Sequence, residues 1–181
     1  MSDSTKTDPC QRLENSIAVV IHKTSAADDL LLRLLFANLI TLLEVYLHSV
    51  MTGLVNGDQR LLLNVAKSKK FKDRKLPIHF VLVSDPRRYL LQLISEINFH
   101  NLSDVEPLFR EAFNIRIPLK DEVLQAIKVR HDVIHRDGFS KTGDPVRIDP
   151  VTISNAADSI LDLVKVVDRQ LLEFYTPSFL G

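Results

Sequence analysis

Apolar positions recur every three to four residues along most of the chain, which is the period of amphipathic helices. This pattern predicts an all-α fold. An apolar run at 76–83 would also suit a strand, but no partner strand is evident and a helix is favoured. Residues 1–9 are expected to form a disordered lead, and residues 10–176 a single helical domain. The expected helices cover residues 10–23, 25–52, 58–66, 76–83, 85–99, 103–113, 118–137 and 151–175.

Several residues mark where these helices should begin and end. Ser25 with Asp28 three residues later is a variant of the capping box that opens many helices. Gly53 is a plausible stop for the helix that follows. Pro118 is expected to begin the helix of greatest interest, and Gly138 to end it after Asp137.

The helix over 25–52 is apolar around almost its whole girth, so we expect it to lie centrally or to pack against a second subunit. Arg33, Asn38 and Glu44 interrupt any run of about 18 apolar residues, which argues against a membrane span. Arg33, Thr41, Glu44 and His48 share a stripe about 80° wide. This stripe is either a solvent-facing edge or a surface on which Glu44 and His48 face a polar pocket.

Composition narrows the function classes. The 181 residues carry no net charge, so an anionic partner would have to be held by a local cluster of cations. Cys10 is the only cysteine, which excludes an internal disulfide and CxxC zinc sites and favours the cytoplasm. The polar start of the chain predicts no signal peptide. The basic run 67–75 is either a solvated loop or a contact for an RNA backbone.

Chemistry concentrates in residues 129–138, where six of ten residues are ionisable. His131 and His135 are four apart and should share a helix face. Arg130 and His135 lie about 140° apart on an ideal helix, so either the long arginine curls toward the histidine or two subunits combine them. A histidine in a last helical turn beside a permanent cation suits phosphate chemistry, because one group moves a proton and the other holds charge.

Three interpretations of this segment remain open. The first is a charged helix terminus, with Asp132 and Arg136 as neighbours one turn apart. The second is a metal site built on the HxxxH spacing of His131 and His135, although a third ligand is unassigned and Asp132 replaces the glutamate of metalloproteases. The third is a metal-free phosphodiester site built on Arg130 and His135.

At these residues the sequence resembles the HEPN superfamily, whose signature is an Arg and a His separated by four to six residues. The stretch Arg-His-Asp-Val-Ile-His-Arg-Asp-Gly, residues 130–138, is similar to a bacterial subgroup that reads much like RHDIVHRNG. The Glu-x-Tyr-Leu at 44–47 and the segment 100–109 are similar to the same subgroup. The likeness covers roughly residues 25–175. One departure is His131, where the wider superfamily commonly has Asn.

The resemblance implies a HEPN-like antiparallel helical bundle, with short extra helices, that dimerises so that two motifs meet. It also implies metal-independent RNA cleavage in many members, often in toxin–antitoxin or phage-defence systems. Our own expectation is that this cleavage needs no cofactor and proceeds through the 2′-hydroxyl of the substrate. The expected partners are RNA, a second copy and an antitoxin or defence protein, without a membrane. The alternative is a non-catalytic dimeric module that binds RNA, a nucleotide or a partner protein. The implied catalytic residues are Arg130 and His135, supported by His131, Asp132, Glu44 and Arg136.

Overall fold

The computed structural model describes residues 6–75, 78 and 85–175 of the chain. Within these residues all the regular secondary structure is helical, apart from an isolated antiparallel bridge between Phe139 and Pro145. The all-α prediction is therefore confirmed. The α-helices are α1 (Asp8–Lys23), α2 (Asp29–Gly57), α3 (Gln59–Lys67), α4 (Pro86–Ser95), α5 (Leu102–Phe113), α6 (Asp121–His135) and α7 (Pro150–Phe174), and a 3₁₀ turn at Thr24–Ala26 joins the first two.

Helix α2 lies at the centre of the fold and packs against α1, α3, α4, α6 and α7. Twelve of its residues are buried, as its apolar sequence predicts. Its outer face keeps Leu30, Leu34 and Val45 exposed. By length and composition alone α2 could also cross a membrane, a test that the core helix of a soluble protein passes as well.

The start of α2 differs from the prediction. Asp28, not Ser25, caps the helix, because its carboxylate accepts a hydrogen bond from the Leu31 backbone N–H at 2.8 Å. Ser25 lies in the preceding 3₁₀ turn, where its hydroxyl donates to the carbonyl of His22. The residue that was expected to complete the capping box is therefore the cap itself.

The predicted stop at Gly53 is wrong, since α2 continues to Gly57. A glycine inside a helix costs about 1 kcal/mol relative to alanine. Its neighbours Met51, Leu54 and Val55 are fully buried, and each such side chain contributes about 1.5–3 kcal/mol on leaving water. Tertiary packing thus outweighs the local preference of the glycine.

The predicted disordered lead is wrong over residues 6–9, while residues 1–5 lie outside the described part. Helix α1 begins at Asp8 and is capped by Thr7, which is buried. The Thr7 backbone N–H and hydroxyl both donate to the carboxylate of Asp168 in α7. This attachment joins the first and last helices. The predicted helix over 76–83 falls outside the described residues except at residue 78.

A buried polar cluster surrounds Asp168 in the core. Burial raises the pKa of the Cys10 thiol to about 12, and the negative charge of Asp168 adds to the effect. Burial and the same charge raise the pKa of Tyr46 well above its ordinary value. The hydroxyl of Tyr46 is buried and has no hydrogen-bond partner among the described residues. We call Thr7, Cys10, Tyr46 and Asp168 the core polar cluster.

Candidate functional site

The motif lies at the carboxyl end of α6, which covers Asp121–His135 rather than the predicted 118–137. Asp121 and Glu122 occupy the first turn, where the helix dipole favours negative charge. The last turn is closed by Asp137 and Gly138, which both have left-handed backbone angles, φ 51° and 84°. The N–H of Gly138 donates to the carbonyl of Asp132 at 3.2 Å. Gly138 thus acts as the stop the sequence predicts, but the helix ends three residues before it.

Arg33 of α2 fixes the turn that follows the motif. Its guanidinium donates to the Asp137 carbonyl at 3.4 Å and pairs with Asp29 one turn back. A Cβ at Gly138 would lie 2.8 Å from the Arg33 Nη1 atom. The backbone angle therefore favours glycine here, and any Cβ would also force the end of the Arg33 side chain to shift.

A cleft of about 680 Å³ opens beside α6 and is bounded by the turn before α5 and the loop after the motif. Among the residues that the structure describes, four cations line it against a single carboxylate, that of Asp132. The chain as a whole has no net charge, so this excess of cations is local. We call this the α6 cleft, and its charged and imidazole-bearing residues are His100, Lys128, Arg130, His131, Asp132, Arg136 and Lys141.

Arg130 is half-buried in the wall of the cleft. Its Nε atom is buried and has no hydrogen-bond partner among the residues that the structure describes. A buried donor that lacks an acceptor carries a desolvation cost of about 1–3 kcal/mol. Because Arg130 also lines the cleft, its guanidinium is placed in the wall where an anion would bind, and guanidinium groups bind phosphate and carboxylate oxygens in a fixed geometry.

Arg136 forms an ion pair with Asp132, the neighbour relation that the spacing predicts. The same guanidinium donates to the Nδ1 atom of His131 at 3.4 Å. His131 is itself about half exposed, with 53% of its side chain accessible. Asp132 therefore pairs with Arg136 rather than with Arg130.

His131 and His135 share a face of α6, as predicted, with ring centroids 4.7 Å apart. His135 is exposed and does not line the α6 cleft, whereas Arg130 does. Within one chain the two residues of the motif therefore face different surroundings, in keeping with their angular separation along the helix.

Sequence reasoning overlooked His100 as a residue of the site. Its Nδ1–H donates to the carboxylate of Glu44 in α2, and the residue lines the α6 cleft. Two signals pointed toward this pair: Glu44 lies in the polar stripe of α2, and His100 begins one of the segments that resemble the HEPN subgroup. His48 of the same stripe packs edge-on against Phe99, with ring centroids 5.4 Å apart.

Among the described residues, no three His, Cys, Asp or Glu side chains are grouped so that they could hold a metal ion. The α6 cleft combines cations for an anion with imidazoles for a proton, the two components that transfer at a phosphate needs. No protein-family model, curated protein or solved structure matches the chain.

Proposed function

We propose that the chain is a metal-independent endoribonuclease of the HEPN type, which cuts RNA through attack of the substrate's own 2′-hydroxyl. One observation carries the proposal: the described residues that line the α6 cleft gather four cations, Arg130 among them, around a single carboxylate. A phosphodiester supplies the negative charge that these cations lack. The product would be a 2′,3′-cyclic phosphate.

In this proposal Arg130 binds the scissile phosphate and stabilises the charge that builds on its oxygens. His135 relays a proton, and His131 lies beside it as a second carrier. Asp132 and Arg136 form the pair that holds the wall of the cleft. Glu44 orients the imidazole of His100, its hydrogen-bond partner.

A second copy of the chain would bring His135 to the other copy's cleft. His135 lies on the exposed side of α6, next to Ile134 and Phe139, which are exposed apolar side chains. Arg33 holds the start of α2 against the same turn, and Leu30 and Leu34 are exposed there. Apolar surface of this kind favours self-association, so we expect a homodimer in the cytoplasm.

The test is cleavage of mixed single-stranded RNA by the purified protein in EDTA. The same strand with 2′-deoxyribose should remain intact, because it lacks the nucleophile. Arg130→Ala and His135→Ala should each lower the rate by at least about 100-fold. Arg169→Ala and His22→Ala remove exposed residues of the same types elsewhere and should cut at the wild-type rate. Helical circular dichroism should be equal in all five proteins.

A non-catalytic RNA-binding module is the second candidate. It is favoured by the position of His135, which is outside the cleft that holds Arg130 in a single chain. Such a protein would bind the RNA and release it uncut, whereas the nuclease leaves cyclic phosphate ends. A neighbouring gene for a small antitoxin or a defence ATPase would favour the nuclease.

A further inference from the structure

We propose that His100, oriented by Glu44, is the base that accepts the proton of the attacking 2′-hydroxyl; this role rests on the ribonuclease function proposed above. His100 lies 30 residues and Glu44 86 residues before Arg130 along the chain, on different elements, yet His100 lines the same cleft as Arg130. Glu44 reaches it from α2.

The segment that carries His100 is held firmly. Ile97 and Phe99, which precede His100, are buried, with 8% and 5% of their surfaces exposed. The edge of His48 packs on Phe99, and the Leu102 N–H donates to the His100 carbonyl at 2.9 Å. A ring on such a turn meets a substrate in one orientation, which is the condition for efficient proton transfer.

The contact with Glu44 fixes which nitrogen of His100 carries the proton. An ionised carboxylate only accepts, so the Nδ1 atom must be the donor and the Nε2 atom keeps its lone pair. The Nε2 atom has no hydrogen-bond partner in the described part of the chain. A carboxylate that holds an imidazole in this tautomer is the arrangement by which histidine acts as a general base.

The histidines of α6 are placed differently. The Nδ1 atom of His131 accepts from Arg136, and about half of that side chain is in solvent. His135 is exposed and outside the cleft. His131 also lines the cleft and has the Asp132 carboxylate 3.9 Å from its Nδ1 atom, but that nitrogen accepts from Arg136, whereas the Nδ1–H of His100 donates to Glu44 and leaves its Nε2 atom able to accept a proton.

The step balances without a cofactor or water. The Nε2 atom of His100 takes the proton from the 2′-hydroxyl while the 2′-oxygen forms a bond to phosphorus. The bond from phosphorus to the 5′-oxygen breaks, and that oxygen receives a proton from the protonated His135 that the second copy of the chain brings to the cleft. The products are a 2′,3′-cyclic phosphate and a free 5′-hydroxyl.

The first experiment compares His100→Gln with His22→Gln, which changes an exposed histidine of α1. Single-turnover cleavage should fall about 100-fold to 10,000-fold in the first variant and stay at the wild-type rate in the second. Affinity for a 2′-O-methyl RNA, which cannot react, should stay within about threefold, because the cations of the cleft are intact. Free imidazole should restore part of the rate of His100→Ala, which a merely structural role would not allow.

The second experiment separates base from acid. A substrate with sulfur in place of the 5′-oxygen has a leaving group that needs no proton. It should not rescue His100→Gln, whereas it should rescue the variant that lacks the acid, His135→Gln. Rescue of His100→Gln by this substrate would overturn its assignment as base.

The third experiment tests Glu44 as a positioning residue. Glu44→Gln should lower cleavage about 10-fold to 100-fold with unchanged RNA affinity, and Glu44→Asp should recover part of the loss. Nitrogen-15 spectra should show the Nδ1–H form of His100 in wild type and a mixture of tautomers in Glu44→Gln.

The two proposals fail in different ways. A wild-type protein that binds RNA and never cuts it overturns the nuclease and the role of His100 together. An active wild type with an equally active, folded His100→Gln overturns the role of His100 alone. If His100→Gln is unfolded by circular dichroism, Glu44→Gln decides: wild-type cleavage with a free mixture of His100 tautomers would overturn the role.

Discussion

Two polar clusters in the described part of the chain differ in how many of their polar atoms have hydrogen-bond partners. In the core polar cluster, Asp168 is 3% exposed and receives both hydrogen bonds that Thr7 can donate to it. In the α6 cleft, several cations face open space, and the Nε atom of Arg130 has no partner among the described residues. The first cluster joins α1 to α7, and the second surrounds a cavity.

The two clusters differ in where their charges find partners. Asp168 uses its charge on groups of its own chain, so its removal should harm the fold. The cations of the cleft outnumber the carboxylate, so their removal should harm the binding of an anion. The following variants test that division, from the largest expected effect to the smallest.

Asp168→Ala should lower the free energy of unfolding by about 2–4 kcal/mol, because the N–H and hydroxyl of Thr7 would stay buried without an acceptor. Urea denaturation measures the effect. Asp158→Ala removes an exposed carboxylate of the same helix and should stay within about 0.5 kcal/mol of wild type. If Asp168→Ala loses no more stability than the control Asp158→Ala, the core polar cluster adds no stability.

Arg136→Gln should weaken RNA binding and leave the free energy of unfolding nearly unchanged. We expect a change of less than about 1 kcal/mol in stability, because its ion pair with Asp132 is partly exposed. Binding of single-stranded RNA should lose one phosphate contact, so the slope of log K against log salt should become shallower by about 0.7. Fluorescence titration at several salt concentrations measures the slope, with Arg169→Gln as control. An unchanged slope would remove Arg136 from the anion site.

Tyr46→Phe should leave the free energy of unfolding unchanged or raise it by up to about 1 kcal/mol. Its hydroxyl is buried without a partner, so its removal ends a desolvation cost and breaks no hydrogen bond. This variant differs in sign from Asp168→Ala within the same cluster. A loss above about 1 kcal/mol would show that the hydroxyl makes a hydrogen bond in solution.

Asp149 is the exposed N-cap of α7, and its replacement should have the smallest effect on stability. The hydroxyl and N–H of Thr152 donate to its carboxylate and hold its pKa below the ordinary value. The unfolded chain therefore binds this proton more readily, so the cap stabilises the fold above the ordinary pKa of 3.8 and is lost as pH falls through the folded value. Asn caps without titrating. In Asp149→Asn, stability relative to wild type should improve between pH 6 and pH 3 in urea denaturation; a constant difference would contradict the cause.

The sequence predicted those features that depend on near neighbours. The helices follow from a period that repeats every three to four residues, and the pairing of Asp132 with Arg136 follows from spacing within one helix. The burial of α2 follows from its apolar girth. Each of these patterns lies within a few turns of the chain.

The features that were missed depend on distant partners. Thr7 appeared to belong to a polar lead, and only its contact with a residue 161 positions away makes it part of the fold. His100 appeared as part of a resemblance, and only the packing of its turn against α2 gives it Glu44. Gly53 appeared as a stop because its buried neighbours were not yet assigned to a core.

The residue at position 138 is linked to the residue at position 33. Its left-handed backbone closes the turn after the motif, and the Arg33 side chain fills the space that a Cβ would need. A side chain at residue 138 would strain this backbone, and it would also push the end of the Arg33 side chain away from the carbonyl of Asp137. Related sequences should therefore keep glycine at 138 wherever they keep this contact, even though neither residue lines the cleft.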